Sequence, residues 1–137
     1  IELLLDYCMR FYERQFVTRK AANRDVLDKF EKLLNSYFTG DRALHDGLPS
    51  VKYFAEECFL SPNYFGDLVK KETGKTPQDH IQSKIIDLAK EELASSEDTI
   101  NEISYHLGFQ YSQHFNRYFK RNVGVTPSQF RKQMAEA

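Results

Sequence analysis

Hydrophobic positions in this chain recur every three or four residues, in runs separated by residues that end or begin helices. Between Asn23 and Phe38, the residues Val26, Leu27, Phe30, Leu33, Leu34, Tyr37 and Phe38 share one broad face, and Gly40 follows as a stop. Upstream, Leu4, Leu5, Cys8, Phe11, Tyr12 and Phe16 predict a separate helix from Ile1 to about Lys20. The stretch from Thr39 to Pro49, TGDRALHDGLP, has the composition of a loop. Beyond it, a short helix is expected from Ser50 to Cys58. Ser61 is a good N-cap and Pro62 suits a first helical position, so the next helix runs to about Thr73 and stops at Gly74. Thr76 and Pro77 open a longer helix to about Ala94, striped by Ile81, Ile85, Leu88, Ala89 and Leu93. Thr99 and Glu102 have capping-box spacing for a helix ending near Gly108. Another helix runs from about Tyr111 to Val123 and stops at Gly124, and Thr126, Pro127 and Gln129 start a last short one. No alternating β-branched runs are bounded by hairpin turns, so the expected fold class is all-α.

Part of this pattern occurs twice. At an offset of fifty, Phe65 matches Phe115, Lys70 and Lys71 match Lys120 and Arg121, Gly74 matches Gly124, and Thr76 and Pro77 match Thr126 and Pro127. Upstream the offset is forty-nine: Phe54 matches Ile103, Ala55 matches Ser104, and Cys58 matches Leu107. The second copy therefore has one extra residue in its turn. Each copy is two short helices joined by a tight turn, the second helix polar on its outer face, which is the helix-turn-helix pattern. The architecture expected is two such units joined by a central linker helix, with an extra helix at the N-terminus. The aromatics Phe54, Phe65, Phe109, Phe115 and Phe119 have helical spacing and read as core.

Charge changes this picture. The net charge of the 137 residues is only −1, which by itself does not point to nucleic acid. Its distribution is uneven. From Ile103 to Ala135 the charged side chains are Arg117, Lys120, Arg121, Arg131 and Lys132, with no Asp or Glu. From Asp87 to Glu102 six acids face one base, Lys90. One face can thus be positive while the sum stays near zero.

Candidate chemistry narrows the function classes. No carboxylate pair, Ser/His/Asp set or Gly-rich phosphate loop suggests an enzyme. Cys8 and Cys58 lie in apolar helical patterns and read as reduced, buried thiols. Neither they nor His106 and His114 have metal-ligand spacing, so no metal and no cofactor are expected. No apolar run reaches the ~20 residues of a membrane span. Two reading heads do suit duplex DNA. An 18-residue linker from Pro77 to Ala94 is about 27 Å long at 1.5 Å per residue, and with a turn at each end it approaches the ~34 Å recurrence of the major groove. On the helix from Tyr111, an inward Phe115, Tyr118 and Phe119 would leave Ser112, Gln113, Asn116 and Arg117 outward. Arg suits guanine, and Gln and Asn suit adenine. Lys120 and Arg121, like Lys70 and Lys71 in the first copy, suit phosphates.

The stretches VKYFAEECFLSPNYFGDLVKKETGKTP (Val51 to Pro77) and INEISYHLGFQYSQHFNRYFKRNVGVTPSQFR (Ile100 to Arg131) resemble the C-terminal DNA-binding domain of the AraC/XylS family of bacterial transcription regulators. The resemblance covers roughly Asp25 to Lys132 and implies seven helices, with two homeodomain-like halves on either side of a linker. It also implies a cytoplasmic regulator of transcription, activator or repressor. The base-reading positions it implies are Asn63, Gly66 and Asp67 in the first unit, and Ser112, Gln113, Asn116 and Arg117 in the second. Gly66 and Asp67 depart from the family, where basic or amide side chains are frequent, so the second unit is expected to be the stronger anchor.

The implied partners are double-stranded DNA, RNA polymerase for the full-length regulator, and a second copy through an N-terminal sensing domain lying outside this chain. On that reading residues 1–22 form a connector from the sensing domain and residues 23–137 the DNA-binding domain; the first helix packing on the Asn23–Phe38 helix is the alternative. One enzyme class with such a domain, DNA-repair methyl acceptors, needs a thiolate activated by zinc and further cysteines, which Cys8 and Cys58 do not supply. The rival to DNA binding is a helical protein-interaction module, favoured by the low net charge and Asp67.

Overall fold

The computed structural model describes residues 2–136, with side chains from residue 19 onward. Its elements are α1 (Glu2–Thr39), α2 (Arg42–Asp46), α3 (Val51–Glu57), α4 (Pro62–Thr73), α5 (Pro77–Ser95), α6 (Ile100–His106), α7 (Ser112–Val123) and α8 (Pro127–Glu136). Among the described residues there is no strand, and the all-α expectation holds.

Two expectations at the N-terminal end are corrected. The two helical patterns expected before Gly40 run on as one helix, α1, because no Gly or Pro interrupts residues 2–39. The 39–49 segment is also not plain loop: it contains the one-turn helix α2, whose Ala43 is fully buried. The implied seven helices become eight among the described residues. Cys8 and the rest of the Leu4-to-Phe16 stripe lie outside the residues with described side chains.

The remaining boundaries follow the caps. Ser50, Ser61, Thr76 and Thr99 each accept a hydrogen bond from a backbone N–H in the first turn of the helix they open. Thr76 completes a reciprocal capping box with Asp79, and Thr126 does the same with Gln129 at α8. At α6 the box is half made: Glu102 accepts from the Thr99 hydroxyl, not from its backbone. Gly74 and Gly124 end α4 and α7 in left-handed backbone.

Packing divides into two halves around α5. In the first, Phe30 of α1 meets Phe54 of α3 and Phe65 of α4 edge-on, with centroids 5.1 and 5.2 Å apart. In the second, Phe115 and Phe119 of α7 are buried with Ile103 of α6 and Phe130 of α8. Buried Ile81, Ile85, Ile86, Ala89 and Leu93 of α5 join the two into one continuous core. With 19 residues, α5 is about 28 Å long at 1.5 Å per residue. Arg131, one of the bases in the acid-free segment, locks its end by donating to the carbonyls of Leu93 and Ser96 at 3.1 and 3.4 Å.

A second strap joins the halves. The Tyr37 hydroxyl of α1 donates to the Gly47 carbonyl at 2.6 Å, and the backbone at Gly47 lies against Gly108, in the turn between α6 and α7. A Cβ on Gly108 would sit 2.8 Å from the Gly47 carbonyl carbon. The bare Cα of Gly108 permits this approach; a Cβ on Gly47 would stand an ordinary 3.7 Å from the Gly108 carbonyl oxygen, and there it is the left-handed φ of 83° that favours glycine.

Candidate nucleic-acid interface

The helix pairs α3–α4 and α6–α7 superpose on the sequence repeat down to single hydrogen bonds. Leu60 N–H donates to the Ala55 carbonyl in the first turn and Phe109 N–H to the Ser104 carbonyl in the second, at 2.9 and 3.0 Å. Phe59 and Gly108 occupy the same left-handed position, at φ 60° and 102°. The extra residue of the second turn is Gln110, between Phe109 and the α7 N-cap, Tyr111.

On α4, Phe65, Leu68 and Val69 are buried and anchor the helix. The opposite face carries exposed Asn63, Asp67, Lys70 and Lys71, with half-buried Gly66 among them. A Cβ on Gly66 would meet nothing within 4 Å, so this part of the face is bare. On α7, Phe115 and Phe119 are buried, and exposed Gln113, Arg117, Lys120 and Arg121 project away from them. Ser112 and Asn116 are half-buried at the edge of that face. Each expected cluster is therefore assembled on one solvent-facing helix surface.

Both helices are held from behind. Asn23 of α1 donates to Glu72 of α4 at 3.3 Å. Gln82 of α5 donates to Asn122 of α7, which in turn donates to the Tyr118 carbonyl at 2.8 Å. The Lys70–Lys71 and Lys120–Arg121 pairs sit in the last turns of their helices, where the helix dipole also favours positive charge. Neither pair, nor Arg117, forms an ion pair among the described residues; ion pairs are found elsewhere, at Arg42–Asp46 and Lys52–Glu56.

Sequence reasoning missed the surroundings of α7. Gly47, Leu48, Gly108 and Phe109 form one wall of an open cleft of about 500 Å³, and His114, Arg117, Tyr118 and Arg121 form the other. The pairing of Gly47 with Gly108 crosses sixty residues and leaves no local signal beyond two glycines just past helix ends. Tyr118 has its hydroxyl buried without a protein partner, and burial pushes its pKa up to about 12, so the phenol stays neutral. Cys58, buried, has its thiol pKa raised by burial, with Lys29 opposing, which suits a structural thiol. No helix among the described residues is long and apolar enough to cross a membrane.

Known proteins agree with this geometry. The family described as a helix-turn-helix domain matches residues 54–133. The uncharacterized HTH-type transcriptional regulator YobQ of Bacillus subtilis is 32% identical over 104 residues, covering 74% of this chain and 43% of that protein. The chain thus spans less than half the length of that relative. Among solved structures, the C-terminal domain of the two-component response regulator YesN from Fusobacterium nucleatum has a TM-score of 0.69 at 24% identity, covering 78% of this chain and 98% of that one. The DNA-binding domain of the transcriptional factor AdpA, solved in complex with a target DNA, has a TM-score of 0.66 at 18% identity, covering 79% and 90%. Both likenesses show the fold. With the family match spanning 80 of 137 residues and both helix-turn-helix units, the chain belongs to the AraC-type family of helix-turn-helix domains.

Proposed function

We propose that this chain is the DNA-binding part of a transcription regulator, reading two adjacent major-groove segments with α4 and α7. The observation that carries this reading is the repeated unit itself: two reading helices, each with its polar and basic face exposed and its back anchored on one shared helix, α5. The roles follow from side-chain chemistry. Asn63, Gln113, Asn116 and Arg117 have the donors and acceptors that distinguish base edges, Ser112 supports them, and Gly66 lets α4 approach closely. Asp67 accepts from cytosine N4 or else repels phosphate. Lys70, Lys71, Lys120 and Arg121 neutralise the backbone. In the whole protein, RNA polymerase and a second copy are the expected partners, in the cytoplasm.

Duplexes selected from a random pool, with affinity measured over a range of salt, test the proposal. Binding should occur without any small molecule and weaken steeply with salt through counterion release. Replacing Lys70, Lys71, Lys120 or Arg121 by Ala should lower the log–log salt slope by ~1 for each phosphate contact, about equally on all sequences. A folded protein that gives no response to duplex at low salt returns the chain to the protein-interaction reading.

A further inference from the structure

The cleft beside α7 brings His114, which has no role above, together with Arg117 and Arg121. His114, Arg117 and Arg121 stand at i, i+3 and i+7 along one stripe and are all exposed. Arg117 belongs to the outward face with Gln113, so the cleft opens onto the surface assigned to DNA. His114 is set by an edge-on ring contact with Tyr111, centroids 5.5 Å apart. The rest of the lining, from Gly47 and Leu48 to Phe109 and Gln110, holds no acid. Asp46, which precedes Gly47 in the chain, is paired with Arg42 at 3.5 Å. The guanidiniums thus face a concave, acid-free space without an ion-pair partner among the described residues. In the first unit the matching residues are Tyr64, Asp67, Leu68 and Lys71, which put a carboxylate where Arg117 stands.

We propose that the cleft between α7 and the 47–48 segment seats one phosphate of the DNA backbone at the edge of the groove that α7 reads. Arg121 is its principal donor, with His114 beside it and Leu48 closing the far side. This rests on the DNA-binding reading and adds to it a contact made by a segment outside either helix-turn-helix unit. A phosphate with two free oxygens suits a forked guanidinium, and a site whose far wall is uncharged adds no repulsion.

The test uses the full 137-residue chain and a duplex it selects from a random pool, with each phosphate in turn replaced by an uncharged methylphosphonate. Wild type should lose affinity at every contacted phosphate, and roughly tenfold at the one position, or two adjacent ones, seated in the cleft, as for a charge-assisted hydrogen bond. Arg121→Ala should bind the unmodified duplex about that much more weakly and lose nothing further at those positions. Leu48→Glu, at a residue 41% exposed and so tolerant of substitution, should weaken duplex binding by a similar factor through the carboxylate it introduces. Additive losses for Arg121→Ala at every methylphosphonate, or unchanged binding by Leu48→Glu, would overturn the seat while leaving DNA binding intact. No duplex binding by the folded wild type would overturn both.

Discussion

The turn of the first helix-turn-helix unit places Phe59 in left-handed backbone, 87% exposed, with Lys29 Nζ 4.8 Å from its ring centroid. The same turn in the second unit places Gly108, covered by the backbone at Gly47. The α4 N-cap is Ser61, whose side chain accepts from Tyr64 N–H; the α7 N-cap is Tyr111, with no side-chain bond to the helix. Outward, α4 presents Gly66 and Asp67 where α7 presents Asn116 and Arg117. One backbone pattern has thus been loaded differently. The first unit has good local caps and a weakly charged face. The second has a poorer local start, a backbone strap from the other half, and a basic face. Local propensity and ligand-facing chemistry vary independently when a shared core supplies most of the stability.

The strap is where the comparison breaks most sharply. Gly108→Ala introduces a Cβ 2.8 Å from backbone and an L-residue at φ 102°, so it should destabilise the fold by about 3 kcal/mol or more. Phe59→Gly, at the corresponding position, should stabilise it by ~1 kcal/mol, since left-handed backbone costs an ordinary residue about that much. Urea unfolding of both variants checks the sign. Equal, small effects would show that the Gly47–Gly108 contact yields easily.

Next come the reading faces. Arg117→Ala should cost ~1–3 kcal/mol of binding and relax preference at one base, a guanine. Asp67→Ala should leave non-specific affinity unchanged or raise it, by removing a charge that repels phosphate. If Asp67 accepts from a cytosine, only duplexes carrying that base should bind more weakly. Measuring both variants on matched and scrambled duplexes at two salt concentrations separates these outcomes. An Asp67→Ala loss as large as that of Arg117→Ala on both duplexes would remove the second unit as the main anchor.

Helix starts and stops from Ser50 onward were legible in the sequence because they rest on local signals: Ser and Thr caps, Pro at first positions, Gly at ends. The buried faces were legible too, since Phe54, Phe65, Phe115 and Phe119 all lie in the core at their helical spacing. So was the extra residue of the second turn, now located at Gln110. Other features were not. The continuity of α1 between the two expected helices depends on nothing stopping it, which is a weaker signal than a cap. The one-turn α2 is too short for a period to show. The Gly47–Gly108 contact and the cleft beside it are tertiary, and Arg131 reads as a surface base until its contacts with the end of α5 are seen.

Tyr111 offers a smaller test of the same contrast. Because Ser61 caps α4 and Tyr111 leaves α7 uncapped, Tyr111→Ser should stabilise the chain by ~1 kcal/mol, less whatever the Tyr111–His114 ring contact contributes. Thermal unfolding measures it, and a fall in Tm would mean that the ring contact outweighs the missing cap.

The smallest effect concerns buried polar atoms. The two buried side-chain oxygens without a hydrogen-bond partner among the described residues are Glu92 Oε2 on the shared helix α5 and Tyr118 Oη on α7, and neither lies in the first helix-turn-helix unit. Burial raises the pKa of Glu92; His106 opposes this, while Asp98 and Glu91 add to it. The sign follows from linkage. Between the ordinary glutamate value and the raised one, the folded chain holds a proton that the unfolded chain has released, so stability falls as pH rises through that window. Above it the full desolvation cost is present. Glu92→Gln keeps the shape and removes the charge, so it should flatten this part of the stability–pH curve and leave the variant more stable at neutral pH. Because Glu92 is only half-buried, the gain should be smaller than that from Tyr111→Ser. Unfolding midpoints from acid to neutral pH check it. A curve for Glu92→Gln parallel to wild type would place the pH dependence elsewhere and leave the buried oxygen energetically silent.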